Sequence, residues 1–391
     1  MDWLTILLSL IFVIYLMYAV LMFRFYLGVK KTVLKQFPGK TKGEANDPPL
    51  VKVSVIIPVR NEAHQITRCL ETIRDQDYHI PAMEVLITDD FSDDQTITIA
   101  REYAVTYPEF PLKIIIPEEN VKQQEGKKRA MERAIEMATG EIILTTDADT
   151  ERLPGWIRSM TEHFSNSSIQ MVSGAVVFHR EENILEKMLS LEFLGIMGIT
   201  CGAVAAGVPV MCNGANLAFR RMVFKNAEGY SGHKQIASGD DIFLMLKIKK
   251  LFGGSSIRFN THPDAVVFTK APATIREFFY QRLRWISKSG SYQDGFLISL
   301  SLLTYLTSFV IWLVFMITIL QGSMLWTGLL LLFIKMLTDF PIVSRMASCY
   351  HKERLLPYFF FAQLFQVIYV PVVGLLGFVV PYHWKGRWIK R

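Results

Sequence analysis

The chain has little cysteine, and no two of its cysteines form a short motif. The four cysteines, Cys69, Cys201, Cys212 and Cys349, lie far apart in a sequence of 391 residues, without a C-x-x-C pair. This spacing argues against a zinc site and against a disulfide scaffold. No internal repeat or low-complexity tract is evident. The length suffices for one large domain or two medium ones.

The sequence also lacks a single segment that carries its net charge. The formal net charge of +6 is spread over several segments, 51% of the residues are hydrophobic, and the mean hydropathy is positive. Basic residues next to apolar segments are typical of a membrane surface and not of a nucleic-acid patch. We therefore expect membrane lipid as a partner and no nucleic acid.

The amino terminus lacks the basic start and the small-residue cleavage site of a secretory signal peptide. Residues 3–23 are almost wholly apolar and long enough to cross a membrane, and four basic residues follow: Arg24, Lys30, Lys31 and Lys35. We predict an uncleaved anchor over residues 1–24, a linker over 25–50 and a folded domain over 51–292. The excess of positive charge predicts that this domain is cytoplasmic, at a bacterial-type inner or plasma membrane.

Residues 293–382 are predicted to form a carboxyl-terminal membrane region, followed by a basic tail over 383–391. Its apolar spans are residues 296–320, 324–343 and 357–381, with a polar loop over 344–356 and a break at Pro371. Lys335 and Asp339 are four apart and are expected to pair inside the bundle. Three crossings would put the tail outside, whereas its positive charge favours the inside. A re-entrant segment broken at Pro371 would resolve this conflict.

Strands and helices alternate between the two apolar regions. Strands are predicted over residues 51–58, 83–88, 113–116 and 142–144, and a helix over 127–138. Asn61 is predicted to cap the helix after the first strand, and residues 92–94 to start the helix after the second. This alternation predicts an α/β domain with a parallel sheet.

The later part of this domain is less regular. A strand is predicted over residues 169–178, and a helix that could lie on the membrane surface over 182–199. Residues 211–220 are predicted to be a loop that leads into a strand, and helices are expected over 239–252 and 275–288.

A pair of aspartates follows the fourth strand. Residues 141–150 read E-I-I-L-T-T-D-A-D-T, so Asp147 and Asp149 come directly after an apolar run. The carboxyl edge of a parallel sheet is where open α/β folds bind ligands. Two neighbouring carboxylates favour a cation between them, and Mg²⁺ prefers one or two carboxylates together with phosphate oxygens. The pattern predicts a divalent cation that carries a diphosphate.

Five motifs together resemble the membrane-bound inverting glycosyltransferases with a GT-A domain. This family includes cellulose, chitin and hyaluronan synthases and ceramide glucosyltransferase. The motifs are S-V-I-I-P-V-R-N-E at residues 54–62, D-D-F-S-D-D-Q-T at 89–96, D-A-D at 147–149, G-D-D at 239–241 and Q-R-L-R-W at 281–285. The resemblance implies a GT-A, Rossmann-like α/β domain with transmembrane helices. It also implies transfer from a nucleotide-sugar, in the first place a UDP-sugar, to a lipid-linked or glycan acceptor.

The resemblance assigns donor-binding roles to several residues. Nucleotide-sugar contacts are expected at Pro58, Glu62 and Asp90, after the first two strands, at Lys127, at a helix start, and at Asp147. The resemblance gives Asp90 the role of accepting the imide N–H of uracil. Asp149 becomes the ligand of Mg²⁺ or Mn²⁺, with Asp147 contacting ribose and metal. Charge on the departing diphosphate would then be neutralised by the ion.

The resemblance also assigns a base and an acceptor side. Asp241 matches the catalytic base that takes the proton of the acceptor hydroxyl. The acceptor and diphosphate contacts fall on Asp240, Asn213, Gly214, Gln281, Arg284 and Trp285. The family more often has glutamate where Asp240 stands, which puts the role of Asp240 in doubt.

Plainer interpretations of these motifs remain open from the sequence. D-A-D is also a common solvated turn, and the aspartates at 89–90 and 240–241 are also typical helix caps. Lys127 is equally consistent with a solvated lysine, and Q-R-L-R-W with a helix on lipid headgroups. Among functions, the alternatives are a nucleotidyltransferase, a transporter with a soluble domain, and a processive polysaccharide synthase. About four apolar spans favour single transfer over polymer translocation.

Overall fold

The computed structural model describes residues 3–36, 51–117, 126–232, 239–384 and 387–389. The chain divides into two compact units. We call the first the helical unit; it comprises Met1–Lys31, Arg180–Ala206 and Ala271–Arg391. The second, the sheet unit, comprises Thr32–His179 and Gly207–Lys270. Most of the predicted linker, residues 37–50, lies outside the described residues.

The elements are numbered here in chain order. The helices are α1 (Trp3–Gln36), α2 (Ile66–Arg74), α3 (Thr96–Thr106), α4 (Gly126–Met137), α5 (Trp156–Thr161), α6 (Ile184–Ala205), α7 (Arg221–Asn226), α8 (Asp240–Phe252), α9 (Ile275–Ile286), α10 (Gly295–Gln321), α11 (Leu325–Cys349) and α12 (Phe359–Leu376). The strands are β1 (Val53–Val59), β2 (Met83–Asp89), β3 (Leu112–Ile115), β4 (Ile142–Thr145), β5 (Glu151–Arg152), β6 (Met171–Gly174), β7 (Val176–Phe178), β8 (Leu217–Arg220), β9 (Ile257–Asn260), β10 (Val267–Thr269), β11 (Tyr382–Trp384) and β12 (Arg387–Ile389).

The sheet unit is built on a seven-stranded sheet with the order β3-β2-β1-β4-β8-β6-β9. β1 pairs in parallel with β2 and β4, and β2 pairs in parallel with β3, so the predicted parallel α/β core is confirmed. Every residue of β1, β2 and β4 is buried, the polar Ser54 and Glu84 included, as is typical of the inner strands of a parallel sheet. The carboxyl ends of these three strands therefore lie side by side at one edge.

The opposite edge of the same strands is fixed by a buried glutamate. The Glu84 carboxylate on β2 accepts hydrogen bonds from Ser54 Oγ on β1 at 2.6 Å and from the backbone N–H of Thr139 at 2.6 Å. It also pairs with Lys113 Nζ on β3 at 2.9 Å. Burial opposes ionisation of Glu84, but these donors more than offset it and lower its pKa from 4.5 to about 2. One carboxylate thus connects β1, β2, β3 and the segment before β4.

We expect Glu84→Gln to destabilise the sheet unit by about 3 kcal/mol at neutral pH, which is the free-energy equivalent of the lowered pKa. Because the pKa is lower in the folded state, the stabilisation is complete above pH 4.5 and is lost as the pH falls towards 2. Denaturant unfolding of both proteins at neutral and at acidic pH measures this. Glu71→Gln, which alters a more exposed ion pair with Arg68, is the control. An equal difference in the free energy of unfolding between wild type and Glu84→Gln at both pH values would contradict a stabilising role of the ionised Glu84.

One predicted strand is in fact two. Residues 169–178 were predicted as a single strand, but β6 lies in the large sheet and β7 in a second sheet with the order β5-β10-β7. The change falls at Ala175, between the two strands. The backbone oxygen of Ala175 accepts from the buried Asn216 side chain at 2.7 Å. An apolar run buried in both sheets gives no sequence signal of the switch.

Two predicted helix starts are wrong. α2 begins at Ile66 and is capped by no side chain, whereas Asn61 has a left-handed φ of 53° and accepts from the N–H of Asp93 at 3.0 Å. α3 begins at Thr96, after the predicted start at residues 92–94. Asp94 accepts from the N–H of Thr96 at 2.9 Å, so these polar residues shape the two loops and not the helices' first turns.

Within the described residues, five helices are long and apolar enough to cross a membrane. They are Thr5–Leu34, Ile184–Ala205, Gly295–Gln321, Leu325–Cys349 and Glu353–Leu376. The sequence predicted four. The addition is α6, which was expected on the membrane surface but is mostly buried within the helical unit.

Several predicted boundaries in the membrane helices are wrong. α1 continues to Gln36, through the first part of the predicted linker. α11 continues to Cys349, so the predicted polar loop over 344–356 is partly helical. α12 passes through Pro371 without a break. Apolar packing on both sides of Pro371, which is itself buried, favours a continuous helix where the sequence suggested an interruption.

The predicted Lys335–Asp339 pair is confirmed. Lys335 Nζ lies 2.7 Å from Asp339 Oδ2 and also donates to the side-chain oxygens of Gln363 and Gln366, each at 2.7 Å. Tyr18 of α1 donates to the other Asp339 oxygen at 2.7 Å. These polar side chains join α1, α11 and α12 inside the helical unit, where charged groups must find partners.

Part of the predicted basic tail is ordered. β11 and β12 form an antiparallel pair, in which Tyr382 faces Ile389. Trp388 is exposed, and its ring centroid lies 6.2 Å from that of Tyr280 on α9. The side of the membrane on which the tail lies stays a prediction.

Candidate active site

The first part of the candidate site lies where β1 and β2 end. Val59 pairs with Asp89, and the N–H of Asp90 donates to the backbone oxygen of Val59 at 2.9 Å. The Asp89 carboxylate accepts from the N–H of Ser92 at 3.1 Å and so forms the turn. Asp90 is buried directly beyond the two strands. The structure thus separates the two aspartates: Asp89 shapes the loop, and Asp90 remains the candidate for binding the base.

Pro58 and Glu62 flank the same strand end. Pro58 lies in β1 opposite Thr88, and Glu62 is buried in the loop that follows. The N–H of Glu62 donates to Thr96 Oγ1 at 2.8 Å, which fixes this loop to the start of α3. Both residues therefore stand at the carboxyl edge where a nucleotide was predicted to bind.

The D-A-D turn directly follows β4. Asp147 is half-buried and Asp149 is exposed, while Ala148 between them is buried. Thr150 Oγ1 donates to the backbone oxygen of Asp147 at 2.6 Å and closes the turn. The two carboxylates are thus held at the sheet edge, with that of Asp149 open to solvent.

Lys127, at the start of α4, connects this turn to the G-D-D motif. Its Nζ lies 2.7 Å from Asp147 Oδ1, with both side chains partly exposed. Burial lowers the pKa of Lys127, but the carboxylates of Asp147, Asp240 and Asp241 more than offset this effect and raise it. The lysine is therefore a protonated ammonium among three carboxylates. The structure brings together four of the residues that were predicted from separate motifs.

Asp241 lies in the first turn of α8, and both of its carboxylate oxygens are oriented by backbone donors. Oδ2 accepts from the N–H of Gly214 at 2.9 Å, and Oδ1 accepts from the N–H of Ile242 at 2.8 Å. The backbone oxygen of Gly214 in turn accepts from Thr145 Oγ1 of β4 at 2.7 Å. A short chain of hydrogen bonds thus joins the end of β4 to the candidate base.

The neighbouring loop residues have distinct surroundings. Asn213 is half-buried, and its side chain accepts from the N–H of Ala215 at 3.0 Å. Asn216 is fully buried, accepts from Trp156 Nε1 at 2.9 Å and is structural. Asp240 is half-buried at the start of α8. Gly214 contacts Asp241 directly, Asn213 precedes Gly214 in the same loop, and Asp240 precedes Asp241 at the start of α8. Their roles in a site stay predictions.

The remaining predicted residues lie on α9 of the helical unit. Gln281, Arg284 and Trp285 are all half-buried on one helix. The Trp285 ring is stacked on Phe193 of α6, with centroids 6.1 Å apart, and the Arg282 guanidinium lies 4.2 Å from its centroid. Part of the Trp285 surface that was expected to contact a sugar is therefore covered by neighbouring side chains.

The carboxylates at the D-A-D turn fit a metal ion that binds together with a nucleotide. Among the described residues, no group of three or more His, Cys, Asp or Glu side chains could hold an ion by itself. Asp147 and Asp149 supply two carboxylates at an accessible turn, and Mg²⁺ or Mn²⁺ commonly takes its other ligands from phosphates and water. Lys127 already supplies a positive charge to Asp147. These residues fit a divalent ion bound through a diphosphate.

Two structurally important residues were missed at the sequence level. Thr145 supports the loop that orients Asp241. Arg282 is buried and pairs with Glu192 of α6 at 2.6 Å. Glu192, which has apolar neighbours on both sides in α6, was the available signal for the second, since charges in such segments need a partner. No comparable signal marked Thr145.

Two family models match the chain. The model described as Glycosyl transferase family group 2 matches residues 142–343. The model described as Glycosyl transferase family 2 matches residues 54–227. Together they cover the strand ends, the D-A-D turn, the G-D-D motif and α9.

Curated relatives include further sugar transferases. The chain is 36% identical to glycosyltransferase AglE of Haloferax volcanii over 126 residues, which are 32% of this chain and 40% of that protein. It is 26% identical to an N-acetylglucosaminyltransferase of Rhizobium meliloti, over 67% of this chain and 60% of the relative. The hyaluronan synthase of Streptococcus pyogenes is 25% identical, over 62% and 58%. The chain thus spans between 40% and 60% of the length of these relatives.

A solved structure shows a similar fold. The mannosyltransferase PcManGT from Pyrobaculum calidifontis, in complex with GDP-Man and Mn²⁺, aligns with a TM-score of 0.54 and 21% identity. The alignment covers 92% of this chain and 99% of that one. The predicted GT-A type of α/β fold with long apolar helices is confirmed.

Proposed function

Because the chain belongs to glycosyl transferase family group 2, we propose that it is a membrane-bound, inverting, metal-dependent sugar transferase. It would move a sugar from a nucleotide-sugar to a lipid-linked or glycan acceptor, in glycolipid or cell-envelope polysaccharide synthesis. The observation that carries the proposal is the contact of Lys127 with Asp147, together with the influence of Asp240 and Asp241 on the same ammonium. Carboxylates of the D-A-D and G-D-D motifs thus both act on the pKa of one ammonium.

The donor would bind along the carboxyl edge of the parallel strands. Asp90 would accept a hydrogen bond from the base, with Pro58 and Glu62 beside it. Asp147 and Asp149 would hold a divalent ion with the diphosphate. When bound, Mg²⁺ or Mn²⁺ neutralises the charge that develops on a leaving diphosphate. Lys127 would supply a second positive charge at that place.

The acceptor would be activated by Asp241. Hydrogen bonds from Gly214 and Ile242 fix its carboxylate, and each oxygen retains a further lone pair for a proton. Asp241 would take the proton as the acceptor hydroxyl attacks the anomeric carbon. The attack comes from the face opposite the leaving diphosphate, so an α-linked donor gives a β-linked product. Asn213, Gly214 and Asp240, and on α9 Gln281, Arg284 and Trp285, would contact the acceptor or the diphosphate.

A donor screen tests this proposal. UDP-sugars were favoured from the sequence, but PcManGT was solved with GDP-Man, so both nucleotide series belong in the screen. Detergent-solubilised protein, Mn²⁺ and each nucleotide-sugar are incubated with a lipid extract, and nucleotide release and labelled lipid are measured. Metal-dependent release with one donor supports a transferase. No release with any donor would contradict it and favour a transporter. Release of a sugar phosphate, formed when the bond between the two phosphates breaks and the nucleotidyl group is transferred, would favour a nucleotidyltransferase.

A processive polysaccharide synthase is the second candidate. The hyaluronan synthase relative favours it, as does the fifth candidate membrane span, since the few spans expected from the sequence were the argument for single transfer. The two functions differ in the length of the product. A single transfer gives a lipid heavier by one sugar, whereas processive synthesis gives a polymer that lengthens while one acceptor stays bound.

Replacing Lys127 with methionine is expected to weaken UDP or GDP binding by about ten- to a hundredfold. The reason is that a hydrogen bond to a charged group contributes about 1.5–3 kcal/mol. Affinity for the nucleoside without phosphates should stay unchanged. Calorimetric titration of both ligands measures this, with Lys250→Met on the exposed side of α8 as the control. Equal UDP and GDP affinities in wild type and Lys127→Met would place Lys127 outside the diphosphate site.

A topology reporter tests the cytoplasmic assignment. The basic residues Arg24, Lys30 and Lys31 within α1 predict that the chain after this helix is cytoplasmic. A reporter fused after Lys42 should therefore give a cytoplasmic signal. The cytoplasm is also where nucleotide-sugars are made, as the proposed donor requires. A signal from the far side of the membrane would contradict both the topology and the donor. The same reporter after Arg391 determines the side of the tail.

A further inference from the structure

A buried arginine lies directly beneath the D-A-D turn. Arg152 is 5% exposed and lies on β5, shortly after the turn. Its Nη2 donates to Thr150 Oγ1 at 2.6 Å, to the backbone oxygen of Thr150 at 2.8 Å and to Thr146 Oγ1 at 3.1 Å. Its Nη1 donates to the backbone oxygen of Cys69 on α2 at 3.2 Å. One guanidinium thus contacts both threonines that flank the aspartates.

These contacts lead to the backbone of Asp147 itself. Thr150 Oγ1, which accepts from Arg152, donates to the backbone oxygen of Asp147 at 2.6 Å. Thr146 and Thr150 are also in contact through their hydroxyls, at 3.0 Å. The conformation of the turn therefore depends on a connected set of hydrogen bonds with Arg152 as its common donor. A planar guanidinium can hold several acceptors in a fixed arrangement, which a lysine ammonium cannot.

The charge of Arg152 has no carboxylate partner at ion-pair distance in the described part of the chain. Its acceptors are instead neutral oxygens of Cys69, Thr146 and Thr150, and the guanidinium lies 5.4 Å from the centroid of the Trp156 ring. The Cys69 thiol lies between Arg152 and the turn: its sulfur accepts from Arg152 Nη1 at 3.4 Å and donates to the backbone oxygen of Asp147 at 3.7 Å. A positive charge beneath two carboxylates reduces their mutual repulsion.

We propose that Arg152 is a positioning residue for the metal-binding turn. It holds Asp147 and Asp149 in one arrangement through Thr146 and Thr150, and it touches neither metal nor donor. The inference rests on the proposed role of these aspartates as metal ligands. Groups that orient metal ligands typically change metal affinity or activity by about ten- to a hundredfold when removed.

The test is Mn²⁺ binding to purified full-length protein in the presence of UDP or GDP, measured by the electron paramagnetic resonance signal of free Mn²⁺. Arg152→Lys keeps the charge and removes the fork of donors. We expect its Mn²⁺ affinity to fall by about ten- to a hundredfold. Nucleotide affinity without metal should change less than twofold. Arg68→Gln is the matched control, because Arg68 contacts Glu151 of the same strand from the exposed surface.

A second pair of variants covers the case in which Arg152→Lys does not fold. Thr150→Val removes the hydroxyl between Arg152 and Asp147 and should weaken Mn²⁺ binding, whereas Thr150→Ser keeps the hydroxyl and should bind Mn²⁺ like the wild type. Unchanged affinity in Arg152→Lys, or in Thr150→Val, would overturn the inference alone. Wild-type protein that binds no Mn²⁺ with either nucleotide would overturn the proposed metal site, and the inference with it.

Discussion

Replacing Asp241 with asparagine is expected to lower the rate of sugar transfer by about two to four orders of magnitude, the usual contribution of general-base catalysis. Affinity for the nucleotide should remain nearly unchanged, because the proposed nucleotide contacts are Asp90, Asp147 and the metal. Asparagine has nearly the same size but cannot take a proton. It also has one acceptor oxygen, so it keeps only one of the hydrogen bonds from Gly214 and Ile242.

The measurement pairs nucleotide titration with transfer rate. Asp90→Asn should show the reverse pattern and weaken nucleotide binding first. Asp75→Asn, at an exposed aspartate outside the site, is the control, and thermal unfolding reports any loss of stability from the missing hydrogen bond. If Asp241→Asn transfers sugar at the normal rate, the role of Asp241 is limited to the first turn of α8. Asp240 then becomes the first candidate for the base.

Asp149→Ala is expected to abolish measurable transfer without unfolding the sheet unit. Its carboxylate is exposed at the turn after β4, so removing it costs little packing, yet it supplies one of the two proposed metal ligands. Metal titration of activity and of nucleotide binding measures the effect, because metal-dependent tightening of nucleotide binding should vanish as well. Asp75→Ala, another exposed carboxylate of the same unit, should behave like the wild type. Full activity of Asp149→Ala would exclude Asp149 as a required metal ligand, and full activity of wild type in excess chelator would exclude a metal-dependent reaction.

The parallel core could be predicted because its signals are local. The apolar runs of β1, β2 and β4 and the polar residues after them follow from burial on both faces of a sheet. The proximity of Asp241 to Gly214 was not a local property, because it depends on how β8 pairs antiparallel to β4. The resemblance to the family placed both residues in one site, and in the structure the N–H of Gly214 donates to the Asp241 carboxylate.

The errors arose where tertiary packing overrides a residue's usual preference. Asn61 is a good helix cap in isolation, but here its side chain is used by the neighbouring loop at Asp93. A proline usually ends a helix, yet α12 is continuous through Pro371 because this residue is buried among apolar helices. No sequence motif included Arg152. Its burial is set by α2 and β10, which are distant in sequence.

The most direct test of the account is the anomeric configuration of the product. Purified wild-type protein is supplied with the donor found in the screen, isotopically labelled in its α-linked sugar, together with Mn²⁺ and acceptor lipid, and the product is examined by nuclear magnetic resonance. The account predicts a labelled product with a β-linkage, formed only when protein, donor and metal are all present. An α-linked product, or labelled sugar that is never joined to an acceptor, would contradict it.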